Sequence, residues 1–311
     1  MSQDAFRSLV RAEGARRYRD LPWRDTRDPY AIWISEVMLQ QTQVPRVLTR
    51  WAAWLEEFPC VEALAQAPVA DVLAAWQGMG YNRRALALKA AAEQVVSEHD
   101  GVFPTDAREL CALPGIGPAT AQGIRSFAFD LPGVYLETNV RAVFLHHFFP
   151  DVPSVPDREL IPLVRAACPA AAQGGGFDVA EVADPAVPAD PVFAVPQDVD
   201  DTPRAWYYAL LDYGAYLKKT IPNPSRRSRG YTRQSRFEGS RRQKRAHIVR
   251  LLLGARERGG VLGLEEIRAS VNEAEAAAGR EPVPAAEIAS IMGDLVHEGF
   301  CVACDGGWRV A

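Results

Sequence analysis

Two features of the chain could do chemistry: the carboxylate Glu36, carried on a strongly apolar helical segment, and the glycine-punctuated turn Leu113-Pro-Gly-Ile-Gly-Pro-Ala-Thr120. A carboxyl group beside an apolar core is either pushed towards its neutral form, which makes it a general acid, or solvated and inert. Helix periodicity alone favours solvation. In the turn, Gly115 and Gly117 permit backbone angles and a close approach that a side chain would block, and the next helix points its partly positive N-terminus there. An anionic phosphate fits such a place; an ordinary turn between packed helices is the competing reading of a lone Gly-x-Gly.

The elements that must position these groups are helices. Asp28 to Thr42 has an N-cap residue, a proline at the first helical position and an apolar stripe at Tyr30, Trp33, Ile34, Val37 and Met38, with Glu36 and Gln40 together on its flank. The spacing predicts a helix from Thr105 or Asp106 to Cys111, the glycine turn, and a second helix over Ala119 to Phe129.

Further motifs stand in register with these. Leu21-Pro-Trp-Arg24, Ser35-Glu-Val-Met-Leu-Gln-Gln-Thr-Gln43, Trp76-Gln-Gly-Met-Gly-Tyr81, the Leu113 to Thr120 turn and Thr138-Asn-Val-Arg141 together resemble the helix-hairpin-helix DNA glycosylases, most closely their adenine glycosylase branch. The resemblance covers roughly residues 5–220 once an insertion is set aside. It implies an all-α fold of two helical lobes, double-stranded DNA with a mispaired or damaged base as partner, and hydrolysis of an N-glycosidic bond.

By that resemblance Glu36 protonates the leaving adenine, and a second carboxylate, here Glu137, faces the cationic sugar. An acid on the leaving group and a carboxylate near the sugar carbon is the logic of glycoside hydrolysis, and general acid help is typically worth about 10²–10⁴-fold. The family has aspartate at the position of Glu137, and the added methylene moves the carboxylate by about one bond length, when about 1 Å can cost on the order of 100-fold. A reshaped pocket, another base or lost chemistry are the possible consequences. Relatives that also cut the strand use a lysine within the hairpin; here that position is Ala119, so a monofunctional enzyme is expected. Many adenine-branch members have tyrosine or serine there.

Extruding a base leaves a gap in the duplex, and the resemblance assigns its filling to the Gln-Gln-Thr run (Gln40, Gln41, Thr42) and to Tyr81. It also assigns DNA contact to Leu113, Gly115, Gly117 and Thr120 of the hairpin and to Asn139 and Arg141, although helix capping accounts for Asn139 equally well. Asn82 replaces a second aromatic common in the branch. Packing on its own helix start is the alternative for Tyr81.

Most family members carry four cysteines spaced C-x6-C-x2-C-x5-C after the segment equivalent to Ala205 to Lys219. None stands there in this chain, so no iron–sulfur cluster, metal or other cofactor is expected. Instead Lys218 to Arg245 holds eleven Lys or Arg against one acid, including Arg226, Arg227, Arg229 and Arg233, with Tyr231 and Phe237 among them. Such a run can contact several phosphates without sequence preference. The five cysteines, Cys60, Cys111, Cys168, Cys301 and Cys304, are scattered and form no disulfide framework.

The chain has 311 residues, 48% of them hydrophobic, and a net charge of −4. Residues 168–203 hold seven acids and no Lys or Arg in a Gly, Ala and Pro-rich stretch, and outside it basic residues outnumber acids. This stretch reads as an acidic disordered insert within a glycosylase domain spanning 1–220. Residues 221–245 read as a basic DNA-binding linker and 246–311 as a small winged-helix-like domain of three helices and a hairpin turned by Asp305-Gly306-Gly307. The expected recognition helix carries Glu287, Asp294 and Glu298 and is not basic. Asp212 is a third carboxylate, expected to cap or pack near Gly214. With no signal peptide and no membrane-spanning run, an intracellular, cytoplasmic, DNA-associated monomer is expected.

Overall fold

The helical periodicity is realised almost everywhere. The computed structural model describes residues 2–170, 201–233, 235–257 and 260–311. Among them are α1 (Gln3–Arg16), α2 (Pro29–Leu39), α3 (Val44–Glu57), α4 (Val61–Gln66), α5 (Val69–Ala75), α6 (Arg83–His99), α7 (Ala107–Ala112), α8 (Pro118–Ala128) and α9 (Thr138–Phe148). There follow α10 (Asp157–Ala167), α11 (Pro203–Thr220), α12 (Arg241–Glu257), α13 (Leu264–Ala277), α14 (Ala285–His297) and a hairpin of β1 (Cys301–Cys304) and β2 (Gly307–Val310). The chain divides into two compact units, residues 1–37 with 103–233 and residues 38–102 with 234–311.

The first unit is built on α9 and α11. Its core gathers Phe127, Val143, Phe144, Leu160, Trp206 and Tyr207 from four helices, and α1 adds Phe6, edge-on to Phe144 at 5.1 Å between ring centres. α2 begins where its sequence says it should: Asp28 accepts from the N–H groups of Tyr30 and Ala31 at 3.0 and 3.2 Å. Its burial is wider than the expected stripe. Ile32 and Ser35 are as buried as Trp33 and Ile34, so α2 is a helix enclosed nearly all round.

Leu21-Pro-Trp-Arg24 ends in a buried ion pair. Arg24 donates through both terminal nitrogens to the two oxygens of Asp212 on α11, each at 2.8 Å, and Arg19 adds two donors, its backbone N–H and its Nε. Asp212 is therefore the acceptor of an arginine fork and not a cap near Gly214. Most of the acidic insert, residues 171–200, lies outside the described residues; at its end Asp201 is buried against Arg7 of α1 at 2.8 Å, with Arg11 as second partner.

In the second unit Trp54 of α3 packs edge-on against Trp76, 5.5 Å between ring centres, and α6 buries Ala85, Leu88, Ala91, Ala92 and Val95. Further along, α12, α13 and α14 bury Ile248, Leu252, Ile267, Val271, Ile288, Ile291 and Leu295. The hairpin pairs Cys301 with Val310 and Cys304 with Gly307, and Leu262 forms an antiparallel bridge to Trp308. The acids of α14 and its C-cap are all engaged: Glu287 with Lys244, Asp294 with Arg241, and the C-cap Glu298 with Arg83 and Arg245. No helix among the described residues is long and apolar enough to cross a membrane.

Candidate active site

The turn between α7 and α8 has the geometry its sequence requires. Asp106 caps α7 through the N–H groups of Arg108 and Glu109. Gly115 adopts φ +75°, the left-handed region in which a Cβ is costly, whereas Gly117 has φ −90° and serves as N-cap of α8 with Pro118 behind it. A Cβ on Gly117 would meet nothing within 4 Å, so this face is open. Gly115 and Gly117 are exposed; Leu113 and Thr120 are buried, so the hairpin presents backbone outward and side chains inward.

From this turn α8 runs back to Glu36. The Tyr135 hydroxyl donates to Glu36 Oε2 at 2.9 Å. Gly123, in the middle of α8, lies against the same carboxylate: a Cβ there would stand 2.3 Å from Oε2 and 3.1 Å from the Tyr135 ring. Tyr135 is itself held between Phe127 and Tyr207, each edge-on with ring centres 5.3 Å apart. Desolvation by burial and, to a lesser degree, the nearby charge of Glu137 together raise the Glu36 pKa to about 8 against the lowering effect of the Tyr135 bond. Helix periodicity favoured a solvated carboxylate. In the structure Glu36 is half-buried, because Gly123 of α8 and Tyr135, in the segment before α9, lie against its carboxyl group.

Glu137 is the N-cap of α9. Its Oε1 accepts from the N–H groups of Asn139 and Val140 at 2.5 and 2.9 Å, which leaves the second oxygen out of the cap. Burial pushes its pKa up, while the two N–H groups and the charges of Lys218 and Arg141 pull it down. Asn139 accepts from Lys218 Nζ at 3.0 Å through its side-chain oxygen, and Arg141 is paired with Asp157 through two hydrogen bonds. Structure thus joins Glu36, Glu137 and Asn139 in one neighbourhood. Tyr135, Gly123 and Lys218 belong to it and escaped the sequence reading; a glycine in the middle of an amphipathic helix was the one available signal.

The basic run is not uniform. Arg227 donates to the Leu145 carbonyl at the end of α9, and Lys244 and Arg245 are engaged with α14. Arg226, Arg229 and Arg233 are exposed. In the second unit, Gln41 and Tyr81 both have left-handed backbones, φ 56° and 50°. Arg242 donates to the Tyr81 hydroxyl at 2.6 Å and lies 4.8 Å from that ring's centre and 5.3 Å from Phe237's.

Fold and site together define a helix-hairpin-helix protein with a half-buried carboxyl group, its pKa raised by desolvation, behind the hairpin. Residues 34–161 match the HhH-GPD superfamily base excision DNA repair protein family. The chain is 46% identical over 128 residues to the adenine DNA glycosylase of Mycolicibacterium smegmatis, covering 40% of this chain and 43% of that protein. It is 38% identical over 148 residues to human adenine DNA glycosylase, covering 45% and 27% respectively. The match thus spans less than half the length of these relatives. Among solved structures, a thermostable thymine-DNA glycosylase superposes with a TM-score of 0.53 at 21% identity, covering 68% of this chain and 86% of the other, and shares the fold.

Proposed function

We propose that the protein is a monofunctional DNA N-glycosylase of base excision repair that removes adenine mispaired with 8-oxoguanine or guanine from double-stranded DNA. The observation that carries this reading is the placement of Glu36, half-buried against the Tyr135 hydroxyl and Gly123 and near Glu137. A carboxyl group with a pKa of about 8 is protonated at neutral pH and able to give its proton to a leaving base. Glu137, close enough for the two charges to interact, supplies the second carboxylate, opposite the developing sugar cation. Ala119 provides no amine, so the reaction ends at an abasic site with the strand intact.

The hairpin at Leu113, Gly115, Gly117 and Thr120, together with Asn139, Arg141, Arg226, Arg227, Arg229 and Arg233, is the proposed contact with the DNA backbone. For Leu113 and Thr120 the contact is through main-chain atoms, since both side chains are buried. Gln40, Gln41, Thr42 and Tyr81 are assigned to the gap left by the extruded base. Work at this site needs no cofactor or metal. We assign residues 246–311 as a winged-helix-like module, on the order helix, bridge, helix, helix, hairpin.

Single-turnover base release from duplexes carrying A:8-oxoG, A:G and other lesions, followed by alkali cleavage, tests the proposal. Adenine release by the wild type and none by Glu36→Gln is expected. Release of a different base would keep the chemistry and change the substrate, and tight binding with no release across the panel would mark a recognition protein.

A further inference from the structure

Arg84, at the start of α6, lies at the meeting of two turns. Its Nη1 donates to the carbonyl oxygens of Met38 (3.3 Å) and Gln40 (2.7 Å). Its Nη2 donates to Thr42 Oγ1 (3.2 Å), Met79 O (3.2 Å) and Gly80 O (3.0 Å). One guanidinium therefore joins the end of α2 and the Gln40–Thr42 turn to the Gly78–Tyr81 turn. The same group lies 5.1 Å from the centre of the Trp76 ring and 5.6 Å from that of Tyr81. Trp76 reinforces the second turn by donating from Nε1 to Gly80 O at 3.1 Å.

Each turn ends in a non-glycine residue with a left-handed backbone, Gln41 at φ 56° and Tyr81 at φ 50°. Such a conformation is strained for a residue with a Cβ and persists only where the surroundings hold it. Here the fork of Arg84 is a large part of what holds it, for it contacts the backbone before Gln41, the Thr42 hydroxyl after it, and the backbone immediately before Tyr81. Lysine could not replace it: a single ammonium cannot reach acceptors distributed over two nitrogens of a planar fork.

We infer that Arg84 is a positioning residue for DNA insertion, locking the Gln41 and Tyr81 turns together so that both side chains are presented to the duplex as one preset unit. The inference rests on the glycosylase reading for the identity of the nucleic acid. Pre-organisation of this kind removes an ordering cost at the moment of binding. Arg84 then acts through Gln41 and Tyr81 without touching DNA.

The test uses Arg84→Lys and Arg84→Gln in the full-length protein, with 2-aminopurine beside the mispaired adenine reporting unstacking and base release measured separately. Wild type should raise the fluorescence and Arg84→Lys should not. Base release from the mispaired duplex should slow by on the order of 10²-fold, the cost of a displacement of about 1 Å. Release from a duplex whose adenine lies in an unpaired bubble should be largely retained. Equal unstacking by wild type and both variants, or equal losses on paired and unpaired adenine, would overturn the inference. So would a wild type that unstacks nothing. Unstacking that depends on Arg84 in a protein that releases no base would leave the inference standing and remove the glycosylase reading.

Discussion

Tyr135 and Glu36 are 99 residues apart in the chain and share a 2.9 Å hydrogen bond, phenol to carboxylate, in a space kept open by the missing side chain of Gly123. In the adenine branch that the sequence resembles, a position inside the hairpin often carries a hydroxyl, and the matching residue here is Ala119. The hydroxyl facing the acid comes from a different element, the segment leading into α9.

Tyr135→Phe removes the donor and keeps the ring packing against Phe127 and Tyr207. The bond favours the charged form of Glu36, so its loss should move the Glu36 pKa upward. A hydrogen bond to a charged group is worth about 1.5–3 kcal/mol, roughly one to two pKa units. The pH profile of base release should therefore extend to higher pH while its plateau falls as the acid loses orientation. An unmoved profile would show that the bond plays no part.

Gly123→Ala places a Cβ 2.3 Å from Glu36 Oε2, which must shift. Overpacking typically costs about 1–3 kcal/mol in stability, while displacement of the acid by about 1 Å costs on the order of 100-fold in rate. Thermal denaturation and single-turnover release on the same preparation should give a folded protein with activity reduced out of proportion to stability.

Glu137→Gln separates the two roles of this residue. The amide oxygen can still accept from the Asn139 and Val140 N–H groups, so α9 stays capped and the melting temperature should change little. Loss of the charge should slow base release by an order of magnitude or more, within the 10²–10⁴-fold reach of such groups. A slow variant that also melts early would assign Glu137 to capping alone.

Asp212→Asn leaves Arg24 buried without its counter-charge. Removing one partner of a buried pair costs about 3–5 kcal/mol, so the variant should unfold at markedly lower denaturant. An unaffected midpoint would mean that Arg24 finds another acceptor.

The C-terminal hairpin was readable from the sequence, because Asp305-Gly306-Gly307 is a local turn signal between two apolar runs. The helix-hairpin-helix and the helix bearing Glu36 were readable for the same reason, through Asp28, Pro29, Gly115 and Gly117. The surroundings of Glu36 were not. Whether a flank position on α2 meets water is decided by Gly123 and Tyr135, which no periodicity links to it. Arg24 with Asp212, and Arg84 with its two turns, were hidden likewise, since an arginine in a sequence does not announce which acceptors its fork will meet. The basic run was legible as charge, but its division into paired residues such as Lys244 and exposed ones such as Arg229 depends on the acids of α14.

The most direct test of the account is the pH dependence of single-turnover adenine release from an A:8-oxoG duplex, with Glu36→Gln as baseline. Because the Glu36 pKa is raised to about 8, the proton is present at neutral pH and lost above it. The rate should hold steady through pH 7 and fall about tenfold per pH unit above 8, with Glu36→Gln inactive throughout. A rate that rises from pH 6 to pH 9, or a Glu36→Gln variant as active as the wild type, would contradict the assignment of Glu36 as the proton donor.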